Sequence, residues 1–164
     1  MKEKNSIRKL VMASMLAALT CVATMIIKIP SPLNGYINLG DCFVLLAGWL
    51  LPVPYGFLAA GVGSALADVF SGYVAYAPAT FVIKGLMAVV ACYGYEIAGK
   101  KLSVIVSRIT GGVLAEMLMV AGYLAYESML YGFSASLVNV LPNCVQGLAG
   151  LVIGIILIKT TEKR

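Results

Sequence analysis

Apolar residues run through nearly the whole chain, and polar ones fall mainly in short breaks between the runs. Most runs are long enough to cross a bilayer, which takes about 20 residues of helix. Reading the breaks as loops predicts six membrane helices, over about 6–28, 39–51, 54–70, 78–98, 105–131 and 136–159, in one all-α membrane domain spanning residues 1–164. The first run follows Lys2, Lys4, Arg8 and Lys9, a basic start that a signal peptide would share. It is long enough to span, and no small-x-small cleavage site ends it, so it is expected to remain as a helix. Within it Ala13 and Ala17, and beside them Ser14 and Ala18, are small residues four apart, a spacing that lets another helix approach closely.

The breaks have their own chemistry. Lys28 to Asn38 is rich in Pro, Gly and Asn and reads as a loop. Asp41 stands at the start of the short second helix, where a carboxylate meets free backbone N–H groups and the positive end of the dipole. Pro52-Val53-Pro54 makes a turn without charge. The third helix carries Gly56, Gly61 and Gly63 and must pack closely on its neighbours. A short second helix beside a glycine-rich third is tolerable at membrane depth only under cover of protein or water. Pro78 suits the first turn of the fourth helix, which leaves Lys84 about 9 Å below its start.

Composition settles the environment. Hydrophobic residues make up 61% of the chain and charged ones 12%, with a mean hydropathy of +0.96. Such a chain is an integral membrane protein. It has no histidine, which removes the commonest general base and metal ligand. Cys21, Cys42, Cys92 and Cys144 lie far apart in apolar segments and read as packing residues, not as a zinc or redox motif. Basic residues cluster at Lys2, Lys4, Arg8, Lys9, Lys100, Lys101, Arg108, Lys159, Lys163 and Arg164, leaving only Lys28 and Lys84 toward the other side. The positive-inside rule then places both termini in the cytoplasm and the loops Lys28–Asn38, Ser71–Ala77 and Gly132–Ser136 outside. The net charge of +5 thus follows orientation and signals no nucleic-acid partner.

Candidate chemistry lies where charges enter apolar sequence. Asp68 and Lys84 flank one short aromatic loop, and each intramembrane charge costs roughly 2.5–3.5 kcal/mol on insertion scales. Either they form a structural salt bridge, with Lys84 snorkelling outward, or they serve a ligand. The fifth helix carries Glu116, Tyr123 and Glu127 on one face, and the sixth carries Asn139, Asn143 and Gln146 on one face. Counted inward from the outer ends, Tyr123, Glu127, Asn143 and Gln146 reach the depth of Lys84. Converging polar groups in apolar walls describe a small-molecule pocket; interhelical hydrogen bonding, at about 0.6 kcal/mol per bond, is the plainer explanation for any one of them. The candidate binding set is Tyr36, Asn38, Lys84, Tyr123, Glu127, Asn139, Asn143 and Gln146, with Asp41, Asp68 and Glu116 as further intramembrane charges. Tyr36, Tyr73 and Tyr76 are placed to cover the pocket or to anchor at the interface. No catalytic set and no metal set is visible.

Asn38-Leu-Gly-Asp41, Gly63-Ser-Ala-Leu-Ala-Asp68 and Ala77-Pro-Ala-Thr-Phe-Val-Ile-Lys-Gly85 resemble the substrate-binding (S) subunits of energy-coupling factor (ECF) vitamin transporters, above all those grouped with hydroxymethylpyrimidine, pyridoxine and riboflavin uptake. The resemblance covers nearly the whole chain. It implies a multi-pass protein of the bacterial cytoplasmic membrane that holds a vitamin near the outer face. It further implies that helix 1, here Ala13 and Ala17, docks on a transmembrane coupling (T) subunit driven by two cytoplasmic ATPases. Nothing in the chain resembles a P-loop, so ATP is expected to be used by those partners and no cofactor by this chain. Vitamin B6 or a hydroxymethylpyrimidine fits the polar set best, with riboflavin as the larger alternative. A self-sufficient carrier or channel is the main rival, opposed by the lack of an inverted repeat and of a polar path beyond Glu116. A membrane aspartyl peptidase is more remote, because Asn38-Leu-Gly-Asp41 lacks the first Gly of GxGD. The protein is therefore not expected to be an enzyme.

Overall fold

In the structure, a computed structural model, residues 2–31 and 36–162 are described, with side chains from Ser6 onward. Among them, 5 stretches are helical, long and apolar enough to cross a membrane. They lie in α1 (Lys2–Ile26), α3 (Val53–Phe70), α4 (Ala77–Ala98), α5 (Val104–Tyr131) and the segment Phe133–Glu162. The last segment is not one continuous helix: α6 (Phe133–Ser136) and a 3₁₀ turn (Leu137–Asn139) precede α7 (Val140–Glu162). The second expected helix, α2 (Asp41–Leu50), has 10 residues, a length of about 15 Å. It is half a span.

That short helix is the hub. It touches α1, α3, α4, α5 and α7, and Val44, Leu45 and Ala47 have no exposed surface. Around it Met87, Ala88 and Ala91 of α4, Ala115 and Met119 of α5 and Ile158 of α7 complete one apolar core. A helix too short to cross is stable at membrane depth because protein covers it on every side. Outward-facing side chains are also apolar, among them Leu10, Met15 and Val22 of α1 and Leu148, Val152 and Ile156 of α7. In water such a surface would aggregate; in lipid it is the favoured one.

Close helix crossings depend on glycine. A Cβ on Gly63 would lie 2.4 Å from the carbonyl oxygen of Ala17, and one on Gly94 would lie 2.6 Å from the Cα of Gly111. The first of these crossings bears on the expected docking pair Ala13 and Ala17. Ala13 is buried and Ala17 half-buried, in the face of α1 that packs inside its own chain, whereas Ser14 and Ala18 are exposed. Both pairs have the same spacing; only packing on α3 shows which one remains available to another protein.

The segment expected as a plain loop holds an antiparallel hairpin, β1 (Lys28–Pro30) with β2 (Tyr36–Asn38), in the register Lys28↔Asn38, Ile29↔Ile37 and Pro30↔Tyr36. Strands of 3 residues are too short for alternation to show in sequence. Lys28 Nζ donates to Ser71 Oγ at 2.8 Å, joining the hairpin to the α3–α4 turn. At the opposite end Ser6 meets Tyr55 at 3.3 Å, while Arg108 holds Glu162 through two hydrogen bonds of 2.8 and 2.6 Å and lies over the Tyr95 ring at 5.2 Å. The start of α1 and the end of α7 therefore share one end of the bundle, and the hairpin lies at the other.

The Gly94–Gly111 crossing predicts that Gly94→Leu forces α4 and α5 apart, at a cost of about 1–3 kcal/mol. Thermal unfolding in detergent should show a lower midpoint for the variant; an unchanged midpoint would contradict the crossing.

Candidate functional site

At the hairpin end, six elements each bring polar side chains to one cavity. Helical spacing explains the pairs: Ser64 and Asp68 on α3, Thr80 and Lys84 on α4, Tyr123 and Glu127 on α5, each four apart, and Asn143 and Gln146 on α7, three apart. Thr24 comes from α1, and the hairpin supplies Tyr36 and Asn38, with Ser31 just after β1. Tyr73 and Tyr76 close the rim from the α3–α4 turn. The atom-free space, mouth included, is about 500 Å³.

The floor is a charge network. Lys84 forms an ion pair with Asp41 Oδ1, and the two residues are 3% and 0% exposed. Asp41 Oδ2 accepts from Gln146 Nε2 at 2.7 Å. Gln146 Oε1 in turn accepts from the Asn38 backbone N–H at 2.9 Å and from Asn38 Nδ2 at 3.2 Å. Asn38 Oδ1 accepts from the Gly40 N–H at 2.9 Å. The Lys84 ammonium also lies 5.5 Å from the centre of the Tyr123 ring, within cation–π range. Of the two readings for Lys84 and Asp68, their mutual salt bridge does not form. α2 inserts beside α4 and carries its first-turn carboxylate to the depth of Lys84, a placement that nearness across the α3–α4 loop could not reveal.

Asp68 instead accepts the Tyr36 hydroxyl at 2.5 Å. Burial first, and then the negative charge of Asp68, hold the Tyr36 hydroxyl well above its usual pKa, so it stays a donor at neutral pH. The Tyr36 and Tyr73 rings pack at a tilt of 45°, their centroids 4.8 Å apart. Across the cavity Glu127 Oε1 accepts from Asn139 Nδ2 at 2.9 Å and from the Tyr76 hydroxyl at 3.5 Å. Thr80 and Tyr123 share a hydrogen bond of 3.1 Å. Tyr126 Oη donates to the Ala75 carbonyl at 2.5 Å and braces the rim.

Seven of the expected binding residues, Tyr36, Asn38, Lys84, Tyr123, Glu127, Asn143 and Gln146, line this cavity. Asn139 does not; it is buried behind Glu127. The face counted from Asn139 to Asn143 assumed one continuous helix, and the 3₁₀ turn ending at Asn139 resets the rotation. Glu116 also lies outside the lining, pressed on α7, where a Cβ on Gly147 or Gly150 would come within 2.9 or 3.3 Å of its carboxyl oxygens. Sequence reasoning missed Thr24, Ser31, Ser64 and Thr80. The signal for Ser64 and Thr80 was present: each stands four residues before a buried charge. Among the described residues no group of three His, Cys, Asp or Glu side chains is placed to hold a metal ion.

The network makes a test that separates the two carboxylates. Lys84→Met should sharply lower folded yield, since removing one partner of a buried ion pair costs about 3–5 kcal/mol. Adding Asp41→Asn should restore much of the loss, and adding Asp68→Asn should not. Size-exclusion yield of the three variants measures it, and rescue by Asp68→Asn alone would contradict the pairing.

Comparison with known proteins gives the family. The family model described as ECF-type riboflavin transporter, S component, matches residues 4–163. A curated relative, an uncharacterized protein in the gap 3′ region of Pyrococcus woesei, is 35% identical over 134 residues, 81% of this chain and 87% of that protein. The solved S component of a bacterial ECF transporter superposes with a TM-score of 0.76 at 25% identity, covering 96% of this chain and 97% of its own. An S component for biotin from an ECF-type ABC transporter shares the fold, with a TM-score of 0.59 at 17% identity over 97% and 95% of the two chains. This is a transport family and not an enzyme class. With a family match over almost its entire length, the chain belongs to the S components of ECF-type transporters, as a multi-pass membrane protein.

Proposed function

We propose that the chain captures a small water-soluble vitamin or precursor at the outer face of a bacterial cytoplasmic membrane and delivers it by docking on a T subunit with two ATPases. The observation that carries this reading is the cavity: a cluster of amide, phenol, carboxylate and ammonium groups at one end of an otherwise apolar bundle. Apolar walls with a few converging polar groups describe a small-ligand site, and this lining of amides, phenols, carboxylates and one ammonium suits a small hydroxylated heteroaromatic ring, of the vitamin B6 or hydroxymethylpyrimidine kind, with riboflavin as the larger alternative. The end that bears both termini carries the basic clusters, so the positive-inside rule puts it in the cytoplasm and the cavity outside.

Inward of the floor, Leu45, Met87 and Met119 fill the bundle without exposed surface, which opposes a self-sufficient two-sided path. Asp41 is engaged by Lys84 and Gln146, and Asp68 by Tyr36, so neither carboxylate is poised as half of a peptidase dyad. Docking falls to the exposed pair Ser14 and Ala18, one turn apart on α1, where small side chains admit a partner helix. The ATP is bound by the partners.

Asn143→Leu should weaken vitamin binding by about 1–3 kcal/mol, the cost of leaving a buried ligand group without its partner. Titration calorimetry in detergent measures it, and unchanged affinity would move the site elsewhere. In proteoliposomes the chain alone should accumulate no vitamin, and uptake should appear once the T subunit and ATPases are added. Ser14→Trp or Ala18→Trp should then abolish uptake while leaving affinity within about threefold. Uptake by the chain alone would overturn the proposal.

A further inference from the structure

Two carboxylates in the cavity wall are each half-used. Asp68 and Glu127 line the cavity and are 4% and 3% exposed. One oxygen of each is occupied, Asp68 Oδ1 by Tyr36 and Glu127 Oε1 by Asn139 and Tyr76. The other oxygens, Asp68 Oδ2 and Glu127 Oε2, are buried and have no hydrogen-bond partner among the described residues. Buried polar atoms are nearly always satisfied, and an orphaned carboxylate oxygen is the costliest exception. Among the described residues neither side chain forms an ion pair, and the ammonium of Lys84, in the cavity wall, is paired with Asp41. No three-residue metal cluster among the described residues is placed to bring a cation.

An ionised carboxylate only accepts hydrogen bonds. A ligand that satisfies Asp68 Oδ2 and Glu127 Oε2 must therefore donate at both places, and it binds better if it carries positive charge. A hydroxyl donates once and brings lone pairs that must themselves find donors in a wall rich in acceptors. An amino group on a heteroaromatic ring offers two N–H donors and no in-plane lone pair, and an alkylammonium offers three donors with a full charge. Resting on the vitamin-capture reading above, we propose that Asp68 and Glu127 are specificity residues that select an amino-bearing heteroaromatic ligand, each accepting a hydrogen bond from a ligand N–H through its free oxygen.

Two matched pairs test this: pyridoxamine against pyridoxine, and the amino-substituted hydroxymethylpyrimidine against its oxo counterpart. Riboflavin and biotin serve as unrelated vitamins. Calorimetry on the purified full chain should show at least a tenfold preference for the amino member of whichever pair binds. Asp68→Asn and Glu127→Gln, each made separately so that misfolding of one leaves the other, should each shrink that preference to less than threefold. Equal affinity for both members of the pair, or a preference that survives both substitutions, overturns the specificity proposal and leaves vitamin capture intact. Binding of riboflavin or biotin but of neither pair has the same meaning. Binding of no vitamin overturns both.

Discussion

The ion pair between Asp41 and Lys84 is the constraint on which the rest of the site depends. Both groups are out of contact with water, and a buried charge is tolerable only when paired and hydrogen-bonded on its remaining sides. Lys84 sits inside α4 and cannot reach solvent, so α2 must present its carboxylate at that depth. Gln146 then fixes α7 by donating its amide N–H to Asp41 and accepting the Asn38 backbone N–H at its oxygen. Three helices and one strand are thereby held in register by four side chains.

The network also ties the hairpin to the bundle. Asn38 bonds both Gln146 and the Gly40 N–H, and a Cβ on Gly40 would lie 2.0 Å from Thr24 Oγ1 of α1. The Asn38-Leu-Gly-Asp41 turn is therefore pressed between α1 and α7, with Tyr36 reaching over to Asp68. A ligand seated on this floor would contact the hairpin, α4 and α7 together.

Much of the architecture was legible in the sequence because a bilayer leaves few options. Long apolar runs must be helices, and the few polar residues within them must face one another or a ligand. Helical spacing alone therefore put Tyr123, Glu127, Asn143 and Gln146 at one depth. What stayed hidden depended on rotation and on tertiary neighbours. Flanking one loop makes Asp68 one candidate partner for Lys84 beside a ligand role, yet the ion pair forms with Asp41, 43 residues away. Asn139 was misplaced because a 3₁₀ turn shifts the register just before α7. Ala13 and Ser14 carry equivalent small-residue signals, and only the approach of Gly63 turns one of them inward. The hairpin escaped notice because pairs such as Ile29↔Ile37 are too few to make a pattern.

The central claim is that this cavity holds a small vitamin-like molecule. Native mass spectrometry of the full chain, purified gently from cells in rich medium, tests it most directly. A one-to-one adduct with the mass of a single-ring heteroaromatic vitamin or precursor, released on collisional activation and greatly reduced in Asn143→Leu, is the result the account predicts. A chain that carries only lipid, or an adduct untouched by that substitution, would contradict it.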